Sequence, residues 1–497
     1  MSNHIIHLAN GELQSDTPKS KVDEILAQAA ASKNIVLHFH GGLVSEARGR
    51  DIAEFLTRQY DEGDAYPVFF VWEAGLLETI QNNLGQIAKE LIFRTVVKRV
   101  TGILARKLTQ TDGDRATGAL PNVNLSGVEA KLEEALDALA VGEDASGELL
   151  SDIVDVSGLA QLTPLEELQL REELNRDFTL RRAVGEVTNG LRDADDIANE
   201  LSSRSANSVR GSAETLMDPG SIERMVDRPD PASRGVLSVI RVAKAVIAVA
   251  KRCISRALDG RAHGLHATVV EEILREFYVA NVGGLVWKHM KQDTADSFGD
   301  NPERHGGTAV LTVLNDLMEA DPDLRITLVG HSTGAVYIAH MLEKADEIRP
   351  QGFNFDVVFL APAVTFDLAA TAFQNHGGQM RNFRIFTMTD ENEQEDVLVK
   401  FLYPHSLLYF VSGVVEFEPD APLVGMQRFY ETEAFPDDEF PKVASLRNHL
   451  VSIEHSVVWS VTTGAGPGLN SQSLCHGDFD NDETTLTSLK HILKHGF

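Results

Sequence analysis

The chain has 497 residues, with 45 Lys and Arg against 74 Asp and Glu, and a formal net charge of −29. A surface this acidic repels phosphate backbones, which excludes a general nucleic-acid binder. The 43% hydrophobic and 24% charged content is that of a globular protein, not a disordered or fibrous one. The two cysteines, Cys253 and Cys475, are too few for a disulfide framework and point to a reducing compartment. The start Met1-Ser-Asn-His-Ile-Ile-His lacks the basic and apolar regions of a signal peptide. No uncharged apolar run approaches the ~18–20 residues of a membrane span. A soluble cytoplasmic protein is therefore expected.

The first block, residues 1–80, reads as α/β. Ile5–Leu8 suits a short strand. Val22, Ile25, Leu26 and Ala29 recur at helical spacing and predict a helix over Lys21–Ala31. The run Ile35-Val-Leu-His-Phe is β-like and ends in His40-Gly-Gly-Leu43. A helix around Glu46–Tyr60 leads to a strand at Pro67–Trp72. Strands that alternate with helices argue for a mostly parallel sheet.

Residues 81–280 show apolar positions every three and four residues and few β-branched runs, which predicts a helical insertion. Its acidic, Gly- and Ser-containing stretch Asp112–Pro231 is where disorder is expected. Within the insertion, segment 236–258 is amphipathic. Arg241, Lys244, Lys251, Arg252 and Arg256 share one face, opposite Val239, Val242, Val246, Ile247, Val249, Cys253 and Ile254. It reads either as a lid or peripheral contact with an anionic membrane, or as a helix packed on the body and paired with its carboxylates. We favour the packed helix.

From residue 281 the α/β pattern returns. A helix at Gly307–Ala320 precedes the strand Leu324–Val329. A turn, a helix through Leu342 and the strand Phe355–Leu360 follow, then a strand at Phe383–Thr387 and a final helix over Thr484–Lys494.

Gly330-His331-Ser332-Thr333-Gly334 fits G-x-S-x-G and sits between a predicted strand and a predicted helix. Such a turn holds a serine in a strained conformation with its Oγ exposed, and the glycines leave room for it. The helix N-terminus adds amide donors and positive dipole where negative charge develops. His40-Gly41-Gly42-Leu43 follows an early strand in the same manner. In these features the chain resembles an α/β-hydrolase of the lipase/esterase type, over residues 30–80 and 285–497.

The resemblance implies a sheet flanked by helices, Ser332 as nucleophile, and an oxyanion hole from the loop Gly41, Gly42 and Leu43 together with the Thr333 amide. It implies a catalytic order of nucleophile, acid, histidine. Asp390, just past the strand at Phe383–Thr387, is the first choice of acid, with Asp367, Asp396 and Glu391 as alternatives. Downstream histidines are His405, His449, His455, His476, His491 and His495. His476 is preferred because it lies in a loop, Cys475-His-Gly-Asp, before the last helix.

Asp478-x-Asp480-x-Asp482 begins like a calcium-binding loop but has Glu483 where glycine is required and Leu489 in place of the closing glutamate. No metal and no cofactor are expected. The expected activity is hydrolysis of a carboxylic ester, with lipid and phospholipid esters among the candidate substrates, through an acyl-enzyme. The alternatives are a peptidase or amidase with the same residues, or a regulatory protein built on a hydrolase core.

Overall fold

The computed structural model describes residues 3–42, 44–72, 76–110, 159–203, 215–226, 237–400, 402–432 and 435–497. Leu43 and much of the stretch expected to be disordered, Asp112–Pro231, lie outside the described residues.

Eight strands form one sheet. They are β1 (Ile5–Ala9), β2 (Glu12–Leu13), β3 (Asn34–Phe39), β4 (Tyr66–Trp72), β5 (Arg325–His331), β6 (Phe355–Leu360), β7 (Met380–Met388) and β8 (Val457–Ser460). Their order is β2-β1-β4-β3-β5-β6-β7-β8. Every pairing is parallel except the short β1–β2 hairpin. The central strands read as near-continuous apolar runs because both faces are covered. On one face, helices Glu46–Glu62 and Glu483–His495 bury Ala53, Leu56, Tyr60, Leu486, Leu489 and Ile492. On the other, helices Lys19–Ala30, Gly306–Ala320, Gly334–Ile348 and Phe366–His376 close the larger core.

Chain direction explains where a site can form. Successive crossovers turn one way from β3 to β4 and the other way from β5 onward. The crevice at such a switch opens at the carboxyl ends of the strands. Both β3 and β5 end there, the first in Phe39 before His40, the second in His331 before Ser332.

Between β4 and β5 every described element is helical. Helix Val239–Leu258 turns Val242, Val246, Val249, Ala250, Cys253 and Ile254 into the core. Its basic side chains meet carboxylates: Lys251 pairs with Glu167 at 2.6 Å, Arg252 with Glu272 at 2.6 Å, and the buried Arg256 with Glu271 at 2.7 Å. A second buried pair, Lys107 and Glu166 at 2.6 Å, ties helix Leu91–Leu108 to the N-terminus of helix Pro164–Arg176. The helix expected to be basic and amphipathic is thus packed on the body. Among the described residues, no helix is long and apolar enough to cross a membrane.

Candidate active site

β5 delivers Ser332 to a sharp turn before helix Gly334–Ile348. Its φ is +53°, in the left-handed region that a non-glycine residue occupies only under constraint. The constraint is visible. Ser332 N–H donates to the Leu360 carbonyl at 2.9 Å, and Ser332 O accepts from Ala363 N–H at 3.0 Å, so the end of β6 holds the turn on both sides. The flanking glycines are needed for space. A Cβ on Gly334 would collide with the Phe39 carbonyl oxygen, and one on Gly330 would lie 2.7 Å from Gly334 C.

The loop after β3 meets this elbow. A Cβ on Gly41 would stand 3.3 Å from Ser332 Cβ and 3.9 Å from its Oγ. Gly42 N–H donates to Thr333 Oγ1 at 3.0 Å. That amide, expected as an oxyanion donor, is therefore engaged by the elbow's own hydroxyl. Thr333 caps the helix, a position whose N–H has no intrahelical acceptor. Leu43 lies outside the described residues. His40 anchors the loop: its Nδ1 donates to Gly41 O at 2.7 Å, its Nε2 accepts from Trp72 N–H at 3.3 Å, and its ring stacks on Trp72 at 4.2 Å. Burial lowers its pKa to about 4, so it is a neutral structural imidazole.

His476 is brought to the elbow by the turn after Cys475, and its ring lies 5.4 Å from that of His331, the residue before Ser332. Burial and the neighbouring His331 lower its pKa to about 3. Its Nδ1 is buried with no hydrogen-bond partner among the described residues, and no hydrogen bond joins it to Ser332. The other downstream histidines are placed elsewhere. His405 is held between the Gln394 and His263 carbonyls, at 3.1 and 2.7 Å, and His455 is exposed beside Glu454.

The structure does not bring Asp390 to His476. Thr389 caps helix Asp390–Glu395, and Asp390 at its first position turns its carboxylate to Tyr409 OH at 2.7 Å and Gln394 Nε2 at 2.6 Å. Asp367 pairs with Lys442 on the surface. The alternative acid that reaches the histidine residue is Asp396, whose Oδ2 accepts the His476 backbone N–H at 2.8 Å. Burial raises its pKa, partly offset by that bond and by the Cys475 thiol. Cys475 itself is pushed up to about 11 by burial and by the charges of Asp396 and Asp478, which keeps it a thiol rather than a nucleophilic thiolate.

Two partners escaped sequence reasoning. Asp480 is almost wholly buried and pairs with His331 Nδ1 at 3.3 Å, and His331 Nε2 donates to the His476 carbonyl at 3.0 Å. The only cue was Asp480 in a loop already marked for its histidine.

A helix-sandwiched, mainly parallel sheet with a serine on a positive-φ elbow after its fifth strand is the α/β-hydrolase fold. A family model described as an alpha/beta hydrolase of unknown function (DUF900) matches residues 299–394, which hold β5, the elbow, β6 and β7 but neither the loop at His40 nor His476. No curated protein and no solved structure matches the chain.

Proposed function

We propose that the protein is a serine hydrolase acting on carboxylic esters, with Ser332 as nucleophile, His476 as base and Asp396 as the acid that orients it. The observation that carries this reading is the strained Ser332, at φ +53°, with the Gly41 backbone packed against its side chain. Strain at a buried serine flanked by Gly330 and Gly334 has no structural use here that a glycine would not serve better, whereas a hydroxyl positioned for attack requires it.

Ser332 Oγ attacks the acyl carbonyl while His476 takes the proton and then returns it to the leaving alkoxide. His476 is suited to this as a neutral imidazole, since burial and His331 disfavour its charged form. The Thr333 amide, together with the loop at Gly41 and Gly42, faces the oxygen as it becomes negative. If the Gly42 amide is to serve, the Thr333 hydroxyl must let it go. Water, activated by the same histidine, hydrolyses the acyl-enzyme. Asp396 is preferred to Asp390 because it already holds the His476 main chain, while Asp390 is engaged by Tyr409 and Gln394.

The test is labelling by a fluorophosphonate, followed by turnover of p-nitrophenyl esters of short and long acyl chain and of matching anilides. The expected result is labelling and ester turnover by the native protein, and neither by Ser332→Ala or His476→Ala. Equal labelling of native protein and Ser332→Ala overturns the assignment. Turnover of anilides but not esters replaces it with an amidase.

A further inference from the structure

Beneath the elbow lie four buried imidazoles, those of His38, His40, His331 and His476. One buried carboxylate, Asp480, acts on all of them. Three of the four have hydrogen-bonding that suits a neutral ring. His38 Nδ1 meets Tyr60 OH at 2.7 Å and His40 is shared between a carbonyl and an amide. His476 has no partner at Nδ1. Burial takes His38 to about 3 and His40 to about 4.

His331 is different. Its Nε2 is 3.0 Å from the carbonyl oxygen of His476, which can only accept, so that nitrogen carries hydrogen. Its Nδ1 is 3.3 Å from Asp480 Oδ2, an ion-pair distance, though the N–H points off the line of a full hydrogen bond. A carboxylate at that distance favours hydrogen there as well. Both nitrogens therefore face acceptors, and the ring is suited to carry the positive charge of the cluster.

The two acceptors belong to one short loop. The carbonyl is that of His476 itself, and Asp480 lies four residues on, just before the last helix. From its opposite side the same loop is held by Asp396 through the His476 amide. We propose that His331 is a positioning residue, a buried imidazolium that grips the 476–480 loop at the His476 carbonyl and the Asp480 carboxylate and so sets where the His476 imidazole stands against Ser332. This rests on the reading of Ser332 and His476 as nucleophile and base.

The electrostatics agree in direction. Burial works against charge on His331, but the Asp480 charge outweighs it and leaves the pKa raised. Asp480 is lowered: its burial is outweighed by His331, with His38 and Arg48 contributing. His38, His40 and Tyr60 face the pair from β3, the loop after it and helix Glu46–Glu62, and the His476 ring faces it from its own loop. A cation at His331 helps keep His476 unprotonated at neutral pH, the form a general base needs.

The test compares His331→Gln and Asp480→Asn with the native protein on a p-nitrophenyl ester across pH. Gln can still donate to the His476 carbonyl but carries no charge. The expected result is kcat lowered roughly 10–100-fold with KM little changed, an effect of the size expected for positioning. The acid limb of the rate profile should also move to higher pH in His331→Gln, because the charge opposing protonation of His476 is gone while the Asp480 carboxylate that favours it stays. In Asp480→Asn that carboxylate is lost too, and the limb should move less. Loss of packing alone does not move that limb. Native kcat and an unmoved acid limb in His331→Gln overturn the proposal. Inactivity of Ser332→Ala and His476→Ala beside a native-like His331→Gln sinks the positioning role alone, whereas activity in Ser332→Ala sinks the underlying site. Should His331→Gln not fold, nitrogen-15 spectra of native histidines at pH 7 decide: Asp480→Asn should shift one imidazolium with two protonated nitrogens, and its absence refutes the charge.

Discussion

Ser332 N–H donates to the Leu360 carbonyl at 2.9 Å, so the backbone of the nucleophile candidate is fastened to the end of the neighbouring strand. The return bond from Ala363 N–H to Ser332 O, 3.0 Å, closes the clamp. A left-handed serine costs on the order of 1–3 kcal/mol, and two buried backbone bonds between β5 and β6 are what the fold sets against it. The elbow is therefore a property of two strands and not of the pentapeptide alone.

The glycines of the elbow should be intolerant of a single methyl. Gly334→Ala puts a carbon into the Phe39 carbonyl, which is backbone of β3 and cannot swing aside. Thermal unfolding should show a loss of about 1–3 kcal/mol, the usual cost of overpacking, together with loss of fluorophosphonate labelling. Gly85→Ala, in helix Leu76–Ile87 with nothing within 4 Å of the added carbon, should gain up to ~1 kcal/mol in helix propensity. Equal stability of the two variants would show that the elbow is looser than its contacts imply.

The acid should be separable from its neighbours by amide substitution. Asp396→Asn keeps the shape but removes the charge beside His476, and kcat should fall by roughly 10⁴-fold, as for the acid of a catalytic triad. Asp390→Asn removes an acceptor of Tyr409 OH, far from the chemistry in this reading, and should leave kcat within a few fold. Asp367→Asn, on the surface by Lys442, should be silent. The reverse ranking of Asp390 and Asp396 in steady-state kinetics would restore Asp390.

How much of this was legible from the residues depends on distance along the chain. The elbow was, because strand, turn and helix lie within about twenty residues and each has its own periodicity. β8 was not. Val457-Val-Trp-Ser is four residues long and becomes a strand only by pairing with β7 at Ile385–Met388. The two-residue β2 exists only as the hairpin partner of β1. The helices Phe366–His376 and Pro441–Ser452 do carry buried stripes, Phe366, Ala369, Ala370 and Phe373 in one and Val443, Leu446, Arg447 and Leu450 in the other, but each stripe spans only about two turns and includes alanine or arginine, which weakens the apolar signal. The choice between Asp390 and Asp396 turned on which way one short helix points its side chains, a matter of tertiary packing. The pairing of His331 with Asp480 spans 149 positions, 480 − 331, and no local pattern carries it.

Acid should unfold the protein earlier than its carboxylates require. His38, His40 and His476 are held neutral, with pKa values lowered to about 3, 4 and 3, chiefly by burial. Below pH ~6.5 the unfolded chain takes up protons on these rings that the native state refuses, so stability falls as pH is lowered from 6.5 toward 4. The His331–Asp480 pair does not cancel this. His331, with a raised pKa, contributes stability that is present below ~6.5 and lost only as pH rises through its folded value. Asp480, with a lowered pKa, contributes stability that is present above ~3.9 and lost as pH falls through its folded value. Urea titrations at pH 7, 6 and 5 should show unfolding free energy dropping at each step, and the drop should shrink in His38→Gln. A flat profile would mean that these rings are hydrated.

At alkaline pH the weak point should be Glu393, on the helix that leads from β7 to Asp396. It is fully buried, and burial raises its pKa to about 8, with the charges of Asp396 and Asp390 adding to the rise and a hydrogen bond from Ser406 opposing it. Its Oε1 has no partner among the described residues, which suits a protonated acid better than a carboxylate. The sign follows from linkage: a carboxyl whose folded pKa lies above its unfolded value stabilises the native state at low pH, and that contribution is lost as pH rises from ~4.3 through the folded value near 8. Gln is neutral at every pH and nearly the same shape. Glu393→Gln should therefore match the native protein near pH 4, lie close to it at pH 5 and exceed it clearly at pH 9, by an amount that grows at about 1.4 kcal/mol per pH unit between ~4.3 and the folded value near 8. Thermal unfolding of both proteins at pH 5, 7 and 9 measures it. Because Asp396 sits three residues further along the same turn, ester turnover at pH 9 should also survive longer heating in Glu393→Gln. A variant less stable than native at pH 9 would mean that Glu393 is ionised and that its charge is met by a partner such as Ser406 strongly enough to outweigh burial.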